Sequence, residues 1–466
     1  MNPKKLDISV NYLPVDINEE VVSKAMEDAA KKKSWVIAIF IGTKPCFYKL
    51  YGSIVEAEQQ GLPHIIINSD QHYDKDLTFG LKEFQYDKKV GFNLNIRGGL
   101  VQKSMELFGK VEAIGKYLKE RWPNVKVVPV VNGDTIMCGI VPAAWMFTRD
   151  EKAIHNEAGL RSMAPTVISE AEEISPEEFV DKQFNGEWKL LMSEPFPEQW
   201  DSYVGSKGSE YFFAPLEINK QHLVREGYPE SNIFVTGGVV VEAFEKKMNE
   251  KPTKSIFEVY PELNKGKWIR FDIHRKENQS EGRIKAIIDC MRRLVERGHN
   301  LCFIEMNTTK QSIDRFNLKE DIDELKTHKN FLFTPVWPEY AQVLEFYKSE
   351  NCLIAVTDSG GVQEEMNLLG KPCLTVRFNT DRPETVMQAQ CNLLVPPING
   401  EFMFNTIDYV VNNHELLNKM QNSQKLYGSK VAEKFISQIK KLIVDKREPF
   451  SWAHQEFGYN LKQESK

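Results

Sequence analysis

At 466 residues the chain is too long for one ordinary core, so two domains are expected. It is 41% hydrophobic and 27% charged, with a formal net charge of −6. That balance excludes a general nucleic-acid binder, which needs a basic face, but leaves room for a local basic pocket around one diphosphate. No apolar run approaches the ~20 residues of a membrane span; the longest, 35–41, is strand-sized. The N-terminus Met-Asn-Pro-Lys-Lys-Leu-Asp has no apolar signal core, so a cytoplasmic location is expected. The seven cysteines are scattered without a C-x-x-C pair, which favours reduced core thiols and gives no support to a zinc site.

In chain order, residues 1–33 read as an irregular start and then a helix over 18–32. Glu19 and Glu20 open that helix and Lys31, Lys32 and Lys33 close it, as the helix dipole favours. Strands follow at 35–41, 64–67, 125–131 and 152–155, with helices over 46–60, 98–121 and 136–148. Such alternation indicates parallel βαβ units. The pattern pauses at 162–197: over 163–198 there are nine Asp and Glu against two Lys, which reads as a solvated inserted segment. A Pro- and Lys-rich stretch at 249–254 reads as a linker. A second α/β series has strands at 268–271, 301–305, 331–334, 353–357 and 372–376, and the chain is mostly helical from 405.

These elements predict an α/β protein of two Rossmann-like, doubly wound parallel-sheet domains facing a central cleft. The expected division is 1–248, carrying an extension (1–33) and the insertion near 162–197, then 249–430, then a helical tail over 431–466 that packs back on the N-terminal domain. Ligands of such sheets bind at the carboxyl ends of strands, so the strand-end loops carry the functional reading.

Six loops combine glycine with charge. Gly42-Thr43-Lys44-Pro45 with Lys49 can flank an anion, although exposed lysines are common. Gln71-His72 can bind sugar hydroxyls or cap a helix. In Asn132-Gly133-Asp134-Thr135 the aspartate reads equally as a helix N-cap or a poised carboxylate. Glu157-Ala158-Gly159-Leu160-Arg161 places an acid, a glycine and a base after a short strand. His274-Arg275-Lys276 is a compact cationic patch, or a solvated turn. The sharpest is Asp358-Ser359-Gly360-Gly361 leading into Glu364-Glu365. There a buried-type strand gives way to a helix whose free N–H groups suit phosphate oxygens, and Glu365, a turn further on, can reach a ribose hydroxyl. Arg382-Pro383-Glu384 adds a charged loop downstream.

Taken in this order, the blocks resemble the UDP-N-acetylglucosamine 2-epimerase family over about 41–394. Gly42-Thr43-Lys44-Pro45 resembles its G-T-R-P loop, with Lys44 for arginine. Gln71-His72, Gly133-Asp134-Thr135, Glu157-Ala158-Gly159-Leu160-Arg161, His274-Arg275-Lys276-Glu277-Asn278, Asp358 to Glu365 and Arg382-Pro383-Glu384 are similar to further blocks. The family's P-E-E-x-N-R block has two candidates here, Pro176-Glu177-Glu178 and Pro197-Glu198-Gln199. Family spacing to Ala214-Pro215 selects the second, placing Glu198 at the catalytic glutamate, Gln199 at the second glutamate and Ser202 at the arginine. Trp200 and Tyr211-Phe212-Phe213 are expected to surround Glu198 with apolar groups. Gly238 stands for the asparagine of a T-G-N block.

The resemblance implies a GT-B-like fold with a C-terminal UDP-binding domain, a UDP-sugar substrate, no cofactor or metal, no nucleic-acid or membrane partner, and a homodimer. It also implies inversion of C2 of UDP-N-acetylglucosamine by elimination and re-addition of UDP. Asp134, Glu157, Glu198 and His274 would be catalytic. Lys44, Lys49, Gln71, His72, Arg161, Arg275, Ser359, Gly360, Gly361, Glu365 and Arg382 would bind substrate. A hydrolysing epimerase releasing N-acetylmannosamine, a GT-B glycosyltransferase and a non-catalytic nucleotide-sugar binder share these motifs.

Overall fold

The computed structural model of the protein describes residues 13–69, 86, 88–192 and 195–451, apart from the side chains of Lys44 and Pro45. The expected site residues Gln71 and His72 lie outside the described residues. The strands in chain order are β1 (Asp16–Ile17), β2 (Val36–Ile41), β3 (His64–Asn68), β4 (Val90–Asn93), β5 (Val127–Asn132), β6 (Ala153–Asn156), β7 (Met163–Pro165), β8 (Trp188–Leu190), β9 (Ser209–Ala214), β10 (Ile233–Val235), β11 (Trp268–Asp272), β12 (Asn300–Glu305), β13 (Phe331–Pro335), β14 (Cys352–Thr357), β15 (Cys373–Thr375) and β16 (Asn392–Leu394). The chain divides into two compact units: residues 1–160, 195–243 and 429–466 in one, and 161–194 with 244–428 in the other.

Among the described residues the first unit holds an eight-stranded sheet in the order β1-β4-β3-β2-β5-β6-β9-β10. Its neighbours pair parallel except at the antiparallel edge β1. All six residues of β2 are buried, as for a central parallel strand covered on both faces, which is why its sequence is an unbroken Val-Ile-Ala-Ile-Phe-Ile. Helix Val431–Val444 packs on helix Tyr51–Gln59 and sends Phe435, Ile436 and Ile439 into this core. Phe435 meets Phe213 edge-on with ring centroids 4.6 Å apart. Burying each such side chain stabilises by about 1.5–3 kcal/mol.

The second unit is built on a six-stranded, all-parallel sheet, β13-β12-β11-β14-β15-β16. Counted from β11 this is the order 3-2-1-4-5-6, the dinucleotide-binding arrangement whose switch point falls between β11 and β14. The first unit repeats the order from β2 to β9, with its switch point between β2 and β5.

Two expectations are corrected. The helix expected over 46–60 is two helices, Lys44–Lys49 and Tyr51–Gln59, meeting at Leu50. The acidic stretch at 162–197 is not a solvated loop of the first unit. Arg161–Glu194 groups with the second unit, through a β7–β8 hairpin and helix Pro176–Asn185. Its acids sit on an exposed face, while Phe179, Val180, Gln183 and Phe184 are buried. Phe179 packs edge-on against Phe402, and the Gln183 amide both donates to the Leu394 carbonyl (2.9 Å) and accepts from the Leu394 N–H (2.8 Å). Composition hid an amphipathic helix whose partner lies far along the chain.

All seven cysteines are buried and free, and burial pushes the Cys302 and Cys352 thiols up to about 12. Among the described residues no helix is long and apolar enough to cross a membrane.

Candidate active site

In the first unit, the chain after β5 and after β6 brings a carboxyl forward, and the chain after β2 brings a lysine. After β2 the backbone runs against Ser69, leaving no room for a side chain at position 42: a Cβ there would lie 1.9 Å from Ser69 Oγ. The chain then turns into helix Lys44–Lys49, which Lys44 opens and Lys49 closes. Lys49 Nζ donates to Glu157 Oε1 at 2.5 Å, and Asn132 Nδ2 donates to Glu157 Oε2 at 2.9 Å. Glu157 is 2% exposed and has φ of 57°, a left-handed conformation rare for a glutamate. Strain of this kind persists where the surroundings over-determine the residue, and it clusters at functional sites. The strand β6 below is anchored by His155, whose Nε2–H donates to the Gly133 carbonyl at 2.9 Å.

After β5, Gly133 adopts φ of 68° and turns the chain into helix Ile136–Arg149. Thr135, not Asp134, occupies the N-cap, so Asp134 stands one residue outside the helix rather than serving as its cap. Helix Glu198–Lys207 crosses this helix closely at Gly139 and Gly205; a Cβ on Gly205 would come within 2.4 Å of the Cys138 carbonyl. The crossing places Asp201 where the charges of both Asp134 and Glu198 act on it. Burial, reinforced by the charges of Asp134 and Glu198, pushes Asp201 up to about 8. Trp200, expected to help enclose Glu198, is 47% exposed.

In the second unit, Asp358 at the end of β14 is fully buried and accepts from the backbone N–H groups of His274 (3.0 Å) and Arg275 (2.9 Å) and from Asn278 Nδ2 (3.0 Å). It thereby ties the loop after β11 to the loop after β14 at the switch point. His274 Nδ1 lies 3.1 Å from Asp358 Oδ1, at ion-pair distance but outside hydrogen-bonding geometry. Burial pushes the Asp358 carboxyl up, against His274 and the three N–H donors. Ser359 caps helix Gly360–Leu369, its Oγ accepting from the Val362 N–H at 3.5 Å. A Cβ on Gly360 would lie 3.3 Å from Asp381 Oδ2, whereas Gly361 faces open space, with Ser359 Oγ nearest at 4.0 Å.

Three arginines surround Asp381. Arg377 and Arg382 donate to it at 2.9 and 3.0 Å, and although burial alone would raise this carboxyl, Arg382, Arg377 and Arg275 hold it well below the usual range. Arg382 also donates to Glu364 at 2.7 Å, so this expected substrate ligand sits 3% exposed in a buried pair network. Arg161 is likewise fully buried and belongs to the second unit. Glu365 is 9% exposed; burial pushes it up to about 7, opposed first by the nearby Tyr340 hydroxyl.

The structure therefore places Asp134 and Glu198 about Asp201, and pairs Lys49 with Glu157, in one unit. In the other it groups His274, Arg275 and the Ser359–Gly361 turn. Asn132 and Asn278 stood inside motifs read from the sequence but were given no role there. Asp201 was not named; its local hint was the i, i+3 spacing from Glu198.

Carboxyls at one Rossmann switch point and a glycine-opened helix N-terminus beside cationic loops at the other define a GT-B-like α/β enzyme. The family model for UDP-N-acetylglucosamine 2-epimerase matches residues 191–441, more than half of the chain, and the chain belongs to that isomerase family. A UDP-N-acetylglucosamine 2-epimerase of Methanocaldococcus jannaschii is 29% identical over 402 residues, 84% of this chain and 95% of that protein. The crystal structure of the M. jannaschii enzyme in complex with UDP-GlcNAc and UDP superposes with a TM-score of 0.66 at 27% identity, covering 87% of this chain and 99% of that one. The Neisseria meningitidis UDP-GlcNAc 2-epimerase bound to UDP-GlcNAc shares the fold, with a TM-score of 0.67 at 23% identity over 87% of this chain and 99% of that one.

Proposed function

We propose that the chain inverts C2 of a UDP-N-acetylhexosamine, interconverting UDP-N-acetylglucosamine and UDP-N-acetylmannosamine by elimination and re-addition of UDP. The observation that carries this reading is the contrast between two carboxyl environments in the first unit. Glu157 is held by Lys49 and Asn132, while Asp134 and Glu198 share a crowded group with Asp201. Titratable groups with opposed environments supply both a base and an acid at one pH.

The C2 hydrogen of the sugar is not flanked by a carbonyl, so direct deprotonation is too costly. Cleavage of the C1–O bond, with its electron pair leaving on the diphosphate oxygen, builds cationic character at C1 while a carboxylate removes the C2 proton. The products are 2-acetamidoglucal and UDP. Addition of the UDP oxygen back to C1, with a proton given to C2 from the other face, yields the epimer. Asp134, Glu157 and Glu198 are the carboxyls available for these transfers. The N-terminus of helix Gly360–Leu369, with His274 and Arg275, supports the leaving diphosphate.

Incubation with UDP-N-acetylglucosamine and no acceptor, followed by NMR, tests the reading. Formation of UDP-N-acetylmannosamine supports it. Free N-acetylmannosamine identifies the hydrolysing outcome, and unchanged substrate leaves a binder.

A further inference from the structure

Asp201 lies one turn into helix Glu198–Lys207 and is 2% exposed. Its carboxyl is pressed against helix Ile136–Arg149 at Gly139, where a Cβ would come within 2.3 Å of Oδ1. That oxygen is buried and has no hydrogen-bond partner. The charged groups acting on it are Asp134, just before the N-cap of the opposing helix, and Glu198 on its own helix, and both add negative charge. A buried carboxylate without a pairing cation or donor is strongly disfavoured, so the neutral acid is the stable form. Burial first, and the two neighbours after it, push its titration up to about 8.

We infer that Asp201 is a positioning residue of the epimerisation site, a third carboxyl that keeps one proton on the Asp134–Glu198–Asp201 group at neutral pH. The inference rests on the proposed reaction. In each turnover one carboxylate gains the C2 proton and an acid gives its own to the opposite face. The acid takes its proton from this group; exchange with solvent between turnovers then returns one proton to the group and removes the one gained by the base, so protons are neither gained nor lost overall.

Asp201→Asn removes the ionisable group and keeps its size. For the wild type, kcat is expected to fall on the alkaline side near pH 8, where the group loses its last proton, a value that belongs to the group and not to one residue. For Asp201→Asn that limb moves at least one pH unit lower, because a two-carboxyl group releases its last proton more easily. Turnover at pH 8 then drops at least tenfold, and far less at pH 6. A kcat changed by one constant factor across pH 6–9, or not changed at all, overturns the inference.

Thermal melting without substrate reads the same proton independently of turnover. The folded-state pKa of Asp201 lies above its unfolded value of about 4, so the folded chain binds more protons in that interval. Its contribution to stability is therefore lost as pH rises from about 4 towards 8 and is level above. The Tm advantage of Asp201→Asn over the wild type should grow between pH 5 and 8. A Tm difference independent of pH contradicts a held proton. A wild type that melts as expected but turns over no UDP-sugar overturns the epimerase reading, and Asp201's role in it, while leaving the proton assignment standing.

Discussion

Lys49 and Glu157, 108 positions apart in sequence, meet at 2.5 Å and join the loop after β2 to the loop after β6. Glu157 is almost fully buried, so removal of the lysine leaves a carboxylate short of its counter-charge. Lys49→Met is expected to destabilise the protein by ~3 kcal/mol, the low end for breaking a buried pair because Lys49 keeps some contact with water. Turnover should fall at least tenfold. Denaturant unfolding and a kcat measurement check both; an unchanged midpoint with unchanged kcat would show that the pair serves neither purpose.

Gly361 is the position where the diphosphate site can be tested with least damage to the protein. Beyond its own helix turn, the nearest atom to a Cβ placed there is Ser359 Oγ at 4.0 Å, so Gly361→Val is expected to leave the fold in place. Stability should stay within about 0.5 kcal/mol, as for most surface changes. UDP affinity should fall roughly tenfold or more, ~1.4 kcal/mol or above, because the space is the ligand's. Calorimetric titration with UDP decides; full affinity would place the diphosphate elsewhere.

The two Pro-Glu blocks now stand in different units. Glu177 is an exposed first-turn acid of helix Pro176–Asn185, where Ser175 Oγ accepts from the Glu178 N–H at 3.2 Å. Glu198 is one of the three grouped carboxyls. Glu198→Gln should cut kcat by roughly a hundredfold or more, the scale of a lost general acid or base. Glu177→Gln should leave it within about twofold. A dead Glu177→Gln beside an active Glu198→Gln would reverse the assignment.

Gln183 tests the inserted segment. Gln183→Leu strands the N–H and carbonyl of Leu394 in the second unit's core, at a cost of about 1–3 kcal/mol for each unsatisfied group. Urea unfolding should show that loss, while kcat of the folded fraction is retained. No change in stability would mean that the segment is not part of this core.

Central strands were legible because burial on both faces leaves an unbroken apolar run, as at β2. The turns that follow these strands were legible because glycine and charge stand directly after such runs. Local signals failed where a distant partner decides the outcome. The apolar face of helix Pro176–Asn185 is set by Phe402 and Leu394, and its acidic face dominates the composition. Asp201 escaped notice because nothing in Glu-Gln-Trp-Asp says that Gly139 and Gly205 let two helices approach closely enough to bury it. The sequence offered Asp134 equally as a cap or a carboxylate, and only the backbone at Thr135 separates the two. Arg382 was expected as a substrate ligand from the resemblance alone, and nothing local to it announced its bonds to Glu364 and Asp381.

Epimerisation by elimination requires the C2–H bond to break and re-form during turnover. UDP-N-acetylglucosamine incubated with the protein in D2O and followed by NMR tests it most directly. UDP-N-acetylmannosamine carrying deuterium at C2 is expected, with label entering recovered UDP-N-acetylglucosamine as the reaction approaches equilibrium. Epimer formed with the original hydrogen still at C2 would contradict it.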